Sequence, residues 1–110
     1  MDGEQTPLDW ATARVQKLIA SRASWSPAEK LMLSQMQEAL ADWEQARRIL
    51  QTQGMITEGS QGQPVPHPAQ AIKVSAADRV SRWLRQLGLL DDAADVLDEL
   101  DENKKRMLGL

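Results

Sequence analysis

The sequence predicts a mainly α-helical, elongated subunit. A first helix precedes a long central one, and a short β-hairpin and two further helices follow. Three observations predict this. Apolar mass comes mostly from Leu, Ala, Val, Ile and Met, with four Trp, no Phe and no Tyr, which suits helices better than sheets. A hydroxyl residue, a proline, any residue and an acid occur in that order twice, as Thr6-Pro7-Leu8-Asp9 and Ser26-Pro27-Ala28-Glu29. After the second of these, neither Gly nor Pro appears until Gly54.

The 110 residues suit a single domain, 1–110, opened by a disordered tail over 1–5. Thr6 can cap a helix, Pro7 loses nothing at the first helical position, and Asp9 faces the positive end of the dipole. Leu8, Ala11, Val15, Leu18 and Ile19 then share one face of a first helix over about 7–21. Ser26 and Glu29 form a capping box for the long helix, 27–53, on which Met32, Met36, Ala39, Leu40, Trp43, Ala46, Arg47 and Leu50 track one broad face. At 1.5 Å per residue that helix is roughly 40 Å long. Together these two helices make an N-terminal unit over 7–53. So thin a chain needs neighbours to cover its apolar stripes, which predicts an oligomer.

Gly54 ends the long helix as a left-handed cap. Met55-Ile56-Thr57 and Gln63-Pro64-Val65 then read as two short strands of a hairpin over 54–66, with Pro64 keeping the second at an edge. Pro66-His67-Pro68 forces an extended entry into a third helix near 69–87, with Ile72, Ala76, Val80, Trp83, Leu84 and Leu87 as its apolar stripe and Gly88 at its end. Asp91 and Asp92 favour a fourth helix that runs to about 105, carrying Ala93, Val96, Leu97 and Leu100 inward. The C-terminal helices thus occupy 68–105.

The residue inventory excludes much chemistry. Without cysteine there are no disulfides, thiolate metal sites or cysteine nucleophiles. The single histidine, His67, lies between two prolines with no indicated acid–base partner, so it reads as a turn or capping residue. No phosphate-binding glycine loop is present. The Asp91, Asp92, Asp95 and Asp98 group lacks a calcium loop and reads as a solvated helix face. No catalytic residue, metal ligand or cofactor is implied. No apolar run reaches the roughly 18 residues that span a bilayer, and the acidic start MDGEQTPLDW is unlike a signal peptide. Trp43 and Trp83 sit in apolar stripes and read as packing residues rather than base-stacking ones, whereas Trp10 and Trp25 flank helix starts and read as partly exposed.

Charge is uneven. The net charge is −3, yet residues 69–88 carry Lys73, Arg79, Arg82 and Arg85 against Asp78 alone, while residues 91–102 carry seven acids and no base. Such polarisation hints at two partner surfaces. A net-acidic subunit can still hold DNA when symmetry multiplies a modest basic patch.

The stretch from Trp43 to Leu90 carries a more specific signal. Trp43, Ala46 and Leu50 on a helix end, Gly54, the pair Met55-Ile56, Gly62, His67-Pro68-Ala69, Ala71 and Leu87-Gly88-Leu89 follow one another. In that order they resemble the small terminase subunits of tailed bacteriophages. The resemblance covers about residues 27–90. It implies a non-enzymatic helical protein in the cytoplasm of the infected bacterial host. Such a protein assembles into a homo-oligomeric ring, recognises double-stranded viral DNA and recruits the large terminase subunit, which carries the ATPase and nuclease. The acidic tail departs from the family's usual basic continuation and suits a protein-docking surface.

On this reading Arg14, Lys17, Arg22 and Lys30 contact DNA. Met36, Leu40, Trp43, Leu50, Ile56 and Trp83 form contacts between copies, and Asp95, Asp98, Glu99 and Glu102 meet the large subunit. Two other classes remain: a small helix-turn-helix DNA-binding regulator, and a protein-interaction scaffold that does not touch DNA. The first needs a short turn before a basic recognition helix. The Gly54–Pro66 hairpin spoils that for the central pair, and the helix after Gly88 is acidic.

Overall fold

The computed structural model describes residues 5–101. Four helices, α1 (Pro7–Ile19), α2 (Pro27–Gln53), α3 (Pro68–Leu87) and α4 (Ala94–Leu100), accompany one antiparallel hairpin of β1 (Ile56–Glu58) and β2 (Pro64–Pro66). The body measures 54 × 36 × 27 Å. Its long dimension follows from the 27 residues of α2, which at 1.5 Å per residue reach roughly 40 Å.

Both N-terminal starts form reciprocal capping boxes. The Thr6 hydroxyl accepts from Asp9 N–H at 3.0 Å while the Asp9 carboxylate accepts from Thr6 N–H at 3.3 Å. Ser26 and Glu29 repeat the exchange at 3.1 and 2.8 Å. Caps of this kind contribute about 1 kcal/mol each. The Trp25 indole N–H donates to the Ile19 carbonyl at 3.0 Å, closing the end of α1.

α2 is the central element, with α1 and α3 packed along it. The main core joins Trp10, Ala11, Val15 and Leu18 to Leu33, Met36, Leu40 and Trp43, and these to Ala76, Val80, Leu84 and Leu87. Trp10 stacks on Trp43 with ring centroids 5.6 Å apart. Cations flank this pair: Arg14 lies 3.8 Å from the Trp10 ring and Lys73 lies 5.3 Å from the Trp43 ring. A smaller cluster of Ala46, Leu50 and Ala69 joins the far end of α2 to the start of α3.

The hairpin pairs Ile56 with Pro66, Thr57 with Val65 and Glu58 with Pro64. His67 N–H donates to Met55 and Gly59 N–H to Gln63. Those bonds fix the phase of the ladder, so Pro64 and Pro66 fall at its non-hydrogen-bonded positions. Their missing N–H groups would have pointed outward, and the prolines cost the hairpin nothing.

Several expectations change. Leu8 is exposed and Trp10 buried, because stacking on Trp43 turns the packed arc of α1 toward Trp10. Ile72 is exposed while Lys73 is buried, so the inward stripe of α3 runs through Ala69, Lys73, Ala76, Val80, Leu84 and Leu87. Leu33 and Glu44 join the buried face of α2. Gly54 has φ 82° and ψ 162°; it keeps the positive φ that favours glycine, but it extends the chain into β1 instead of coiling into a left-handed cap. α4 begins at Ala94, not Asp91, and neither aspartate caps it. Leu89 and Ala93, both 0% exposed, pull the preceding segment into the core. Of the anticipated tail, Gln5 is described, and its carbonyl accepts from Arg48 at 2.6 Å. The stretch anticipated as helical beyond Asp101 lies outside the described residues.

Candidate nucleic-acid and partner surfaces

The basic residues anticipated on the first helix and its linker do not form one open patch. Arg14 makes a two-point contact with Glu99, Nε to Oε1 at 3.0 Å and Nη2 to Oε2 at 2.7 Å, and a third bond to the Trp10 carbonyl at 3.1 Å. Lys17 lines a cleft of about 290 Å³ that it shares with Arg14, Asp92, Asp95 and Glu99. Arg22 donates to Glu29 at 3.1 Å and to the Leu87 carbonyl, and lies 4.6 Å from the Trp25 ring. Lys30 is exposed. The N–H of Ser26 and the nearby Arg22 hold the Glu29 carboxyl below its ordinary value. Arg14 and Arg22 thus tie helices together, while Lys17 and Lys30 face solvent.

The acidic residues anticipated as one docking face are divided. Asp95 and Glu99 turn toward α1. Asp98 lies with Asp101 against Ala77, Asp78 and Ser81 of α3. Glu102 lies outside the described residues.

The anticipated contacts between copies need a larger correction. Met36 and Leu40 are 0% exposed and Trp43 is 2% exposed inside a single chain. Leu50 is also buried. α1 and α3 cover the apolar face of α2, so these four side chains have no surface left for a second copy. Ile56 is 61% exposed, and Trp83 is half-buried against the core. Both retain surface.

α3 presents its cations differently. Arg79 donates to Asp42 of α2 at 3.0 Å. Arg82 and Arg85 are exposed and make no ion pair with a described residue. Arg79, Arg82, Trp83 and Gln86 line a groove of about 420 Å³ with Gln35 of α2.

A buried charge cluster stiffens the middle of α2. Glu44 is 0% exposed and accepts from Arg47 at 2.7 Å twice and from Arg48 at 2.7 Å. Burial pushes the Glu44 carboxyl up, but the bonds and charges of Arg47 and Arg48 outweigh it and hold the group below its ordinary value. The sequence reading missed Glu44, although arginines three and four residues later were the available signal.

His67 and the Leu-Gly-Leu stretch prove to be structural joints. His67 Nδ1 accepts from Ala69 N–H at 3.0 Å, capping α3. In the neutral ring the proton then sits on Nε2, which meets Gln53 Oε1 at 2.7 Å. Together with the bond from His67 N–H to Met55 at 2.8 Å, one residue ties the end of α2, the hairpin and the start of α3. Gly88 takes the left-handed conformation, φ 72° and ψ 31°. Leu89 N–H reaches back to the Leu84 carbonyl at 2.9 Å, the helix stop in which a left-handed residue turns the chain. Leu87 and Leu89 are both buried.

A family model described as phage terminase, small subunit, matches residues 12–104. The chain belongs to the phage terminase small subunit family. No curated protein and no solved structure matches it. The match includes the whole of the His-Pro-Ala and Leu-Gly-Leu region, and in this small subunit those motifs set the join between α2 and α3 and the turn before α4. Among the described residues, no three His, Asp or Glu side chains are placed to hold a metal ion. No described helix of the small subunit is long and apolar enough to cross a membrane.

Proposed function

We propose that this small terminase subunit recognises double-stranded viral DNA and delivers it to the large terminase subunit, which performs the ATPase and nuclease steps of genome packaging. It does so in the cytoplasm of the infected bacterium, without catalysis of its own. The observation that carries the reading is the family match over residues 12–104.

The geometry supports a division of labour. Arg14 and Arg22 hold the framework, and Lys17 and Lys30 reach phosphates from the α1 side. Asp98 and Asp101, on the α3 side of α4, offer an acidic edge to the large subunit. Copies close into a ring through the apolar surface that stays uncovered, above all Met55 and Ile56 of the hairpin, 40% and 61% exposed. A repeated head-to-tail contact of this kind closes into a ring when its rotation permits.

Mobility-shift assays on duplex DNA, with capture of a large terminase subunit, test the reading. Retention of both partners is expected. Capture of the large subunit with no DNA retention, even at low salt, would leave a protein scaffold instead. Light scattering on the purified protein should report a multimer that Ile56→Glu reduces; a monomer at micromolar concentration would remove the ring.

A further inference from the structure

We infer that the exposed back of α3 is where this protein grips the sugar–phosphate backbone of duplex DNA, with Arg82 and Arg85 on neighbouring phosphates. The inference rests on the DNA-recognition reading above and names its surface, which neither the family match nor the charge count locates.

Four observations converge on it. Arg82 and Arg85 are exposed and make no ion pair with a described residue. Among the described residues, the other arginines (Arg14, Arg22, Arg47, Arg48 and Arg79) each hold an acid. Second, the spacing is regular. The three α3 arginines sit at successive steps of three residues, so their side chains cross the solvent face of the helix as a slanted row. Six residues of helix rise about 9 Å, and one DNA strand places a phosphate about every 3.4 Å along its axis. With α3 along the duplex axis, the row therefore spans two to three phosphate steps. Third, Arg79 is pre-set by Asp42 at 3.0 Å, which fixes one end of the row while the other two guanidiniums remain free to adjust. Fourth, the groove beside the row is lined by the amides of Gln35 and Gln86 and by half-buried Trp83. Amide donors suit phosphate oxygens, and the indole supplies an apolar wall for a deoxyribose.

The occupant is an anionic polymer rather than an acidic protein because the guanidiniums stand at regular spacing while the apolar side chains beside them are set to one side: Trp83 is half-buried in the groove and Val74 lies beyond Asp78. A protein interface of useful strength centres on an apolar anchor. Phosphate contacts need only charge and reach.

The test uses the full chain and a duplex DNA probe, with affinity measured across a salt series. Three forms are compared: the wild type, Arg82→Glu/Arg85→Glu and Arg82→Lys/Arg85→Lys. The charge-reversed form should bind at least about tenfold more weakly. Its log affinity against log salt should be shallower by about 1.8 per engaged subunit, for two lost phosphate contacts at about 0.9 each. The lysine form should keep the wild-type slope, since charge alone sets it. Circular dichroism and elution volume should not change, because both side chains point to solvent. Wild-type binding with an unchanged slope in the charge-reversed form overturns the inference and leaves the DNA reading intact. Retained DNA binding with lost capture of the large subunit also overturns it, making the row a protein-docking surface. A wild type that binds no duplex at low salt removes the parent reading and this inference together.

Discussion

The face formed by α1 and α4 carries two cations and the back of α3 three, and the two surfaces use them differently. On the first, Arg14 is held by Glu99, by a backbone carbonyl and by the Trp10 ring, and Lys17 looks across at Asp92 and Asp95. On the second, Arg82 and Arg85 meet no acid within ion-pair distance among the described residues. A count of Lys and Arg gives the first surface two cations, Arg14 and Lys17, and the second three, Arg79, Arg82 and Arg85. Pairing widens that difference. A guanidinium already neutralised by a carboxylate must break that contact before it can meet phosphate, so an intramolecular partner subtracts directly from what the cation can offer DNA.

Trp10→Ala removes the ring on which both Arg14 and Trp43 pack. Urea unfolding should show a loss of about 3–5 kcal/mol, as for other large aromatic truncations in a core. A loss below about 1 kcal/mol would mean that the stack does not organise the α1 face.

Arg14→Ala should cost about 1–3 kcal/mol of stability, the range for hydrogen bonds to charged groups, and should loosen α4. Hydrogen exchange along Ala94–Leu100 would report the loosening. The same substitution should change DNA affinity by less than about threefold, equivalent to well under 1 kcal/mol. A large DNA defect with unchanged stability would restore Arg14 as a phosphate contact.

Acidification sharpens the contrast without mutation. Glu44 titrates below its ordinary value in the fold. Its stabilising contribution is therefore complete above its unfolded pKa, about 4.3, and fades as pH falls through and below that value. Stability should fall as pH drops below about 4.3, and Glu44→Gln should flatten part of that fall. An equal pH dependence in Glu44→Gln would show that its arginines do not set its titration.

The smallest structural effect is expected at Arg85. Arg85→Ala should leave unfolding free energy within about 0.5 kcal/mol of the wild type, as for an unpaired surface residue, while weakening DNA binding measurably. A stability loss as large as that of Arg14→Ala would show that the α3 row is framework after all.

Much of the chain was legible from local pattern. Thr6-Pro7 and Ser26-Pro27 start helices because a hydroxyl oxygen, a fixed φ and a nearby acid satisfy the first N–H groups without help from the rest of the molecule. His67-Pro68 and Leu87-Gly88-Leu89 punctuate the chain for similarly local reasons, and the long α2 follows from the lack of any breaker over 28–53. Less was legible where two faces of a helix compete. Leu8 against Trp10, and Ile72 against Lys73, differ by a modest rotation about the axis. That rotation is set by the Trp10–Trp43 stack and by the position of α3, not by periodicity alone.

The sequence by itself determined where helices begin and end, that one hairpin separates them, and which family's pattern they follow, because caps, breakers and apolar period act over a few residues. Only the tertiary structure decided which charges are free. Arg14 and Glu99 lie 85 residues apart and still neutralise each other, and Met36, Leu40 and Trp43 are covered by helices distant in the chain. Pairing and burial depend on distances in space, and those exist only once the helices have packed.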